Sequence, residues 1–505
     1  MRLTTAQTPT WRVLYGERER EREIESESAE MREGNVVLFP FLAHGHMNPF
    51  LDLARLLSAR YPHLTLTLIT TSGNLAGFRR LQLPTSIRLV ALPFCPSDHG
   101  LPPDADTSFA LPPHLVTHLN HVIEGCLLPS FRRLLSDLIS AASPPVICVI
   151  ADMFLGWTAP VAKELGVFHA TLYTSGPYAM SIYYSIWINL PHVDGSDGED
   201  DEIAVPGVPG VTVRRRQLTP NMRSARSPDH KSAAFVRRQA VLCSSSGATL
   251  WNTAEVLEKP FLDAWARSTG QPVYAVGPLF AAAGRVARGD GGLAAECLAW
   301  LDRHVSGSVV YVSFGSQNRL PAEEAAELAA ALEEQGRPFL WAAPAPDQAP
   351  PPPPAGKSEW TSGLVARGWV PQVDILRHAA VGAFVSHGGW NSALESLRFG
   401  VPVVVRPMGG EQFCNAKLVA EVLGAGAGAE AVGGREVAEA VAEVMGEGER
   451  AREVRRRARE IAEGLAAAVE GGGSGDKGAS LTALDEFVNS ATSRDTCGAA
   501  VGVDV

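Results

Sequence analysis

Apolar and polar positions along this chain repeat in two rhythms that alternate. Short, nearly continuous apolar runs read as strands covered on both faces: NVVLFPF (35–41), HLTLTLITT (63–71), IRLVALPF (87–94), VICVIAD (146–152), FHATLYT (168–174), ATLWNT (248–253) and PVYAVGP (272–278). Between them, apolar residues recur every three or four positions. Phe50, Leu53, Ala54 and Leu57 form such a set. Asn48 and Pro49 just before them read as an N-cap and a first-position proline, so the pattern predicts a helix beginning at Pro49. Strands alternating with helices predict a parallel sheet wrapped by helices.

The alternation then pauses and restarts. AAAGRVARGDGG (281–292) is low in complexity and reads as a linker. After it come SVVYVSFGS (308–316), a helical PAEEAAELAAALEEQG (321–336), FLWAAP (339–344), LVARGWV (364–370), GAFVSHGG (382–389), a helical WNSALESLRFG (390–400) and PVVVRPM (402–408). The expected class is therefore α/β, with two Rossmann-like domains. Residues 35–279 form the first, 280–296 the linker, 297–470 the second, and 471–492 a glycine tether with a last amphipathic helix packing back on the first. Residues 1–34 read as a charged, disordered extension, with Met31 an alternative start of the natural chain. The runs DGSDGEDDE (194–202), the prolines 350–354 and EGGGSGD (470–476) read as solvated inserts.

Composition narrows the partners. A net charge of −11 disfavours nucleic acid. The 7 scattered cysteines lack a C-x-x-C pair and read as reduced thiols of a cytoplasmic protein. The most apolar long stretch, 146–168, carries Asp152, Lys163 and Glu164 and is no membrane span. No secretory signal is visible, since ERERERE (17–23) cannot supply an apolar core.

The stretch SHGGWNSALES, from Ser386 to Ser396, concentrates unusual residues where an apolar strand pattern gives way to a helix. Ligands of doubly wound sheets bind outside the carboxyl ends of the strands, and a helix N-terminus there offers unpaired N–H groups to an anion. Gly388 and Gly389 allow close approach, and Ser392 and His387 add side-chain donors. Glu395, one turn beyond Ser392, is suited to the paired hydroxyls of a ribose. The corner fits a sugar nucleotide diphosphate, although a plain turn with a buried Trp would share its core letters.

Its flanks decide between these. Trp369 to Gln412 reads WVPQVDILRHAAVGAFVSHGGWNSALESLRFGVPVVVRPMGGEQ, and this resembles the donor box of the plant UDP-dependent glycosyltransferases of secondary metabolism. FLAHGHMNPFLDLA, CLAWLD (297–302), VVYVSFGS and LTALDEF extend the resemblance over nearly the whole chain after residue 35. It implies a GT-B fold, two Rossmann-like domains facing across a cleft. It also implies that Trp369, followed by Val370, stacks on uracil, that Gln372 and Glu395 hold the ribose, and that Ser316, His387, Asn391 and Ser392 meet the diphosphate. Trp390 would line the site, and Glu411 and Gln412 would bond the sugar, with Gln412 favouring UDP-glucose.

Chemistry is expected at the edge of the first sheet. His46 lies in the turn after the first strand, and Asp152 ends a buried strand on the same edge. A helix start disfavours an imidazolium, so His46 is expected to be neutral and able to take a proton, with Asp152 holding its other nitrogen. The resemblance assigns these two the roles of base and partner in an inverting transfer. No metal is called for: Asp104 and Asp106 follow two prolines in a loop.

Two departures from the family stand out, Gly388 in place of a common Cys and Arg406 in place of a common Trp. LGAGAGAEA (423–431) imitates a nucleotide fingerprint but follows a helical pattern, so a helix end is expected. The acceptor pocket is expected around residues 105–125 and 173–190, where Tyr178, Tyr183, Tyr184 and Trp187 serve either as lining or as core. A small hydroxylated aromatic or terpenoid acceptor, no cofactor beyond the UDP-sugar, and a monomer complete the expectation. An NAD(P)-dependent oxidoreductase and a non-catalytic sugar-nucleotide or metabolite binder are the competing classes.

Overall fold

The computed structural model describes residues 33–493, apart from 82, 104, 109–110, 142–143, 194–197, 283–290, 345–347, 351–359, 429–432 and 472–475. Most of the N-terminal extension, residues 283–290 of the linker, Asp104 and most of the proline run therefore lie outside the described residues, while residues 291–296, expected in the linker, open the helix Gly291–Leu301.

Two parallel sheets organise the chain. The first has 7 strands in the order β3-β2-β1-β4-β5-β8-β9. These are β1 (Gly34–Phe39), β2 (Leu64–Thr71), β3 (Ile87–Leu92), β4 (Val146–Asp152), β5 (Phe168–Tyr173), β8 (Ala248–Trp251) and β9 (Val273–Ala275). A short antiparallel hairpin, β6 (Glu202–Ala204) with β7 (Thr212–Arg214), stands apart, so the acidic insert ends in paired strand. The second sheet has 6 strands in the order β12-β11-β10-β13-β14-β15. They are β10 (Val309–Ser313), β11 (Phe339–Ala343), β12 (Gly363–Arg367), β13 (Val381–Ser386), β14 (Val403–Val405) and β15 (Gly426–Ala427).

Each sheet reverses its winding once, between β1 and β4 and between β10 and β13. Such a switch point opens a crevice at the carboxyl ends of the central strands. The strands beside it are apolar because helices cover both faces; every residue of β1 and β10 is buried. Asp152 ends β4 and Ser386 ends β13, so each crevice is edged by a polar group on an otherwise apolar strand.

The first helix differs from expectation. It spans His44–Arg60, with Ala43 as its N-cap, so it starts five residues before Pro49. Pro49 then stands inside the helix, where it has no N–H for the carbonyl of Gly45, four residues earlier. The turn expected to carry His46 is helical. At the fingerprint-like segment, the chain after the π-helical turn Leu418–Val422 reverses at Gly424 (φ 64°), a helix end.

The last helix, Ala479–Ser493, follows the long helix Glu449–Glu470 of the second lobe yet packs on the first. Its Leu484, Phe487, Val488 and Ala491 join the apolar cluster of Leu38, Leu66, Cys148, Ala170 and Leu250. Asp485 accepts from Arg60 Nε at 2.7 Å and from the Tyr61 hydroxyl, clamping the far end of the first helix. Among the described residues, no helix is long and apolar enough to cross a membrane.

Phe487→Ala should destabilise the first lobe by about 3–5 kcal/mol. Chemical denaturation followed through that lobe's tryptophans measures it. A change below roughly 0.5 kcal/mol, the size usual for surface positions, would separate this helix from the lobe's core.

Candidate active site

His46 and Asp152 come together. The third residue of the first helix places its ring at the crevice, and His46 Nδ1 lies 2.7 Å from Asp152 Oδ2. Asp152 is 1% exposed, and its other oxygen accepts from the Phe154 amide at 2.9 Å. A carboxylate only accepts, so Nδ1 carries the proton and Nε2 keeps the lone pair. The Thr174 hydroxyl, 3.2 Å from the same Nδ1, further fixes the ring plane.

The electrostatics depart from the helix-start expectation. Burial pushes the His46 pKa down, but the charge and hydrogen bond of Asp152, with Glu411 adding across the cleft, raise it overall above its ordinary 6.5. Two carboxylates outweigh the burial.

The second lobe gathers most of the donor-box residues at its own switch point. The turn after β13 leads into the helix Trp390–Arg398, whose N-cap is Gly389. Gln372 opens the helix Gln372–Arg377; its Nε2 donates to Glu395 Oε2 at 2.7 Å and to Ser392 Oγ at 3.3 Å, while Oε1 accepts from Tyr311. These three polar side chains thus form one cluster over the helix Trp390–Arg398, with Glu395 buried beneath.

His387 is half-buried, and desolvation by its surroundings lowers its pKa to about 4, so it is a neutral donor at physiological pH. Its ring lies against Gly315 (φ 73°), where a Cβ would come within 2.7 Å of Cε1; Ser316 follows directly. Gly388 adopts φ 83°, and a Cβ there would meet Val405 at 2.5 Å. The departure from Cys is therefore coupled to this backbone geometry.

The remaining residues sit around this core. Trp369 is 41% exposed, with the ring of His44 edge-on at 5.7 Å, and half-buried Val370 packs against the apolar cluster that holds Tyr311, Ile375 and Leu376. Trp390 is buried, its indole N–H donating to the Asn252 carbonyl at 2.7 Å, so it braces the helix start from within. Gln412 Oε1 accepts from the amides of Met408 and Gly409, both at 2.9 Å, which fixes Nε2 as its outward donor. Glu411 accepts from Ser175 across the lobes at 3.4 Å and from Asn415 at 3.3 Å. Arg406 turns to Glu324, 2.9 Å away.

On the first lobe, the expected aromatic lining is largely core. Tyr178, Tyr184 and Trp187 are buried at 2%, 6% and 2%, and Tyr184 packs on Tyr173 and Trp265. The rings beside His46 are instead Phe41 and Phe154, at 5.5 and 5.2 Å, with Phe235 behind Phe154. Phe154 stands two residues after Asp152, so the sequence held a signal for it. Thr174, Ser175 and Asn252 carried none, because only tertiary folding brings them here. Glu258 is likewise unheralded: wholly buried, it accepts from the Tyr178 amide at 3.0 Å and the Thr253 hydroxyl at 2.6 Å. Burial pushes its carboxyl up to about 7. It pins the chain just after Thr174 and Ser175. Among the described residues, no group of His, Cys, Asp and Glu has a metal-binding arrangement.

Residues 284–456 match the profile of the UDP-glucoronosyl and UDP-glucosyl transferase family. Crocetin glucosyltransferase 3 of Crocus sativus is 37% identical over 77% of this chain and 85% of its own length. UDP-glycosyltransferase 92A1 of Arabidopsis thaliana is 34% identical over 92% and 98%. Among solved structures, UGT2 of Phytolacca americana, with UDP-2fluoro-glucose and pterostilbene, superposes with a TM-score of 0.72 at 27% identity, over 91% of this chain and all of that one.

A raised folded pKa means that the His46–Asp152 pair stabilises the fold fully below about pH 6.5 and loses that contribution as pH rises through the folded value. Asp152→Asn leaves burial dominant, so His46 should titrate below its ordinary value, and the variant should lose relative stability on the acid side. Proton NMR of the ring Cε1–H reports the titration; an unmoved curve would deny Asp152 control of the imidazole.

Proposed function

We propose that this chain, which belongs to the UDP-glucoronosyl and UDP-glucosyl transferase family, transfers glucose from UDP-glucose to a hydroxyl or carboxyl of a small lipophilic plant metabolite with inversion at the anomeric carbon. That it is a UDP-glycosyltransferase of GT-B fold follows from the family, and the donor, acceptor and mechanism are our reading. The observation that carries the mechanism is the 2.7 Å contact between His46 and buried Asp152 at the first switch point, opposite the helix Trp390–Arg398 at the second.

In this reading the diphosphate rests on the amino end of that helix, with His387, Asn391, Ser392 and Ser316 around it. Uracil stacks on the exposed face of Trp369 beside Val370, the ribose hydroxyls reach Gln372 and Glu395, and the sugar hydroxyls meet Glu411 and the outward amide of Gln412. His46 Nε2 takes the proton of the acceptor hydroxyl as that oxygen attacks the anomeric carbon. The bond from that carbon to the β-phosphate oxygen breaks, and UDP leaves with its electron pair. The imidazolium so formed is stabilised by Asp152. Neutralisation of the leaving group by N–H dipoles leaves no step that calls for a metal.

Phe41 and Phe154 beside the base support an apolar, ring-bearing acceptor, as does a neighbour solved with pterostilbene. Flavonoids, other phenolics and terpenoids are the classes to screen. We read the protein as a cytoplasmic monomer.

His46→Ala should bind UDP as the parent does while kcat falls by at least about 100-fold, with the parent unaffected by EDTA. Calorimetry with UDP and a turnover assay comparing UDP-glucose, UDP-galactose and UDP-glucuronate make the measurement. Retained turnover would remove His46 from the mechanism, and preference for another sugar would overturn the glucose assignment.

A further inference from the structure

We infer that Asn252 is a positioning residue for the donor site, fixing which end of the Asn391 carboxamide faces the cleft. The inference rests on the donor-site reading above and concerns a residue outside the donor box.

A carboxamide has a donor end and an acceptor end, and its orientation is decided by partners that can act in only one sense. Two backbone groups supply that sense here. The Leu279 N–H, which can only donate, gives its proton to Asn252 Oδ1 at 3.1 Å. Asn252 Nδ2 is therefore the end that turns to Asn391, donating to its Oδ1 at 3.2 Å. Asn391 Nδ2 in turn donates to the Gly45 carbonyl, which can only accept, at 2.7 Å. The relay runs from one backbone N–H to one backbone C=O, and both carboxamides are locked in a single polarity.

The end of this relay is not arbitrary. Pro49 cannot give the Gly45 carbonyl its helical hydrogen bond, and the Asn391 amide supplies one from the other lobe. Gly45 immediately precedes His46. Asn252 is also held where it acts: it is 3% exposed, its N–H donates to the Tyr173 carbonyl at 3.0 Å, and its carbonyl accepts from Trp390. Asn391 stands beside Trp390 at the start of the helix Trp390–Arg398, so its second N–H is available to an anion there. A reversed Asn391 would present its oxygen both to the Gly45 carbonyl and to the diphosphate, two repulsive contacts in place of two attractive ones.

The test uses Asn252→Asp, which keeps an acceptor for Leu279 but removes the donor toward Asn391, and Asn252→Ser, which shortens the side chain without adding charge. Each is made in the parent and in Asn391→Ala. Hydrogen bonds to charged groups are worth enough that KM for UDP-glucose should rise about tenfold or more in the parent background. The acceptor KM should change little, any fall in thermal midpoint should be the same in both backgrounds, and in Asn391→Ala neither substitution should weaken the donor further. Effects that multiply equally in both backgrounds, or a lowered midpoint with an unchanged KM for UDP-glucose, would overturn the inference. A parent that binds UDP while both Asn252 variants bind it equally well refutes this inference alone; a parent without affinity for UDP refutes the donor-site reading and this inference with it.

Discussion

A carboxylate buried at the end of a parallel strand needs a partner, and the rest of the site follows from which partner it has. Asp152 lies at the carboxyl end of β4, held by the Phe154 amide and the His46 ring. Breaking that pair would strand a charge in an apolar crevice. The first helix must therefore begin early enough to bring His46 over the strand end, and it starts at His44. The same bond settles the tautomer, raises the imidazole pKa, and points the lone pair of Nε2 away from the sheet.

Much of this was legible in the chain. Both central crevices follow from apolar runs that end in polar residues, because strands covered on both faces admit little else. VICVIAD ends in Asp152 and GAFVS ends in Ser386, and the structure puts both at switch points. The donor box was legible because its polar residues are local, lying on one helix, one turn and the strand ends beside them. What escaped the sequence depends on distance along the chain. Asn252 meets Asn391 across 139 positions, and Thr174 meets His46 across 128. No periodicity encodes such pairs.

The misjudged elements have specific causes. Pro49 suits a first helical position, which suggested a start there, but a proline is tolerated deeper when another group satisfies the orphaned carbonyl. Tyr178 and Tyr184, left open in the sequence between lining and core, are core, because Tyr178 packs on Phe261 and Tyr184 on Tyr173 and Trp265. The helix terminus near His46 predicted a lowered pKa, yet partial charges at a terminus are weaker than a full carboxylate in contact. In each case local propensity lost to a tertiary partner.

The closing helix carries a consequence for biosynthesis. Leu484, Phe487, Val488 and Ala491 fill a cluster whose other members come mainly from the first helix and from β1, β2, β3, β4, β5 and β8. A ribosome delivers those strands long before it delivers the plug. While the second lobe is being made, the first must wait with an apolar face open to water, the kind of surface that recruits holdase chaperones or promotes self-association. Maturation of the amino-terminal half is thus timed by release of the carboxyl-terminal one, so a message truncated shortly before this helix would yield a protein with both sheets in place and one of them unsealed.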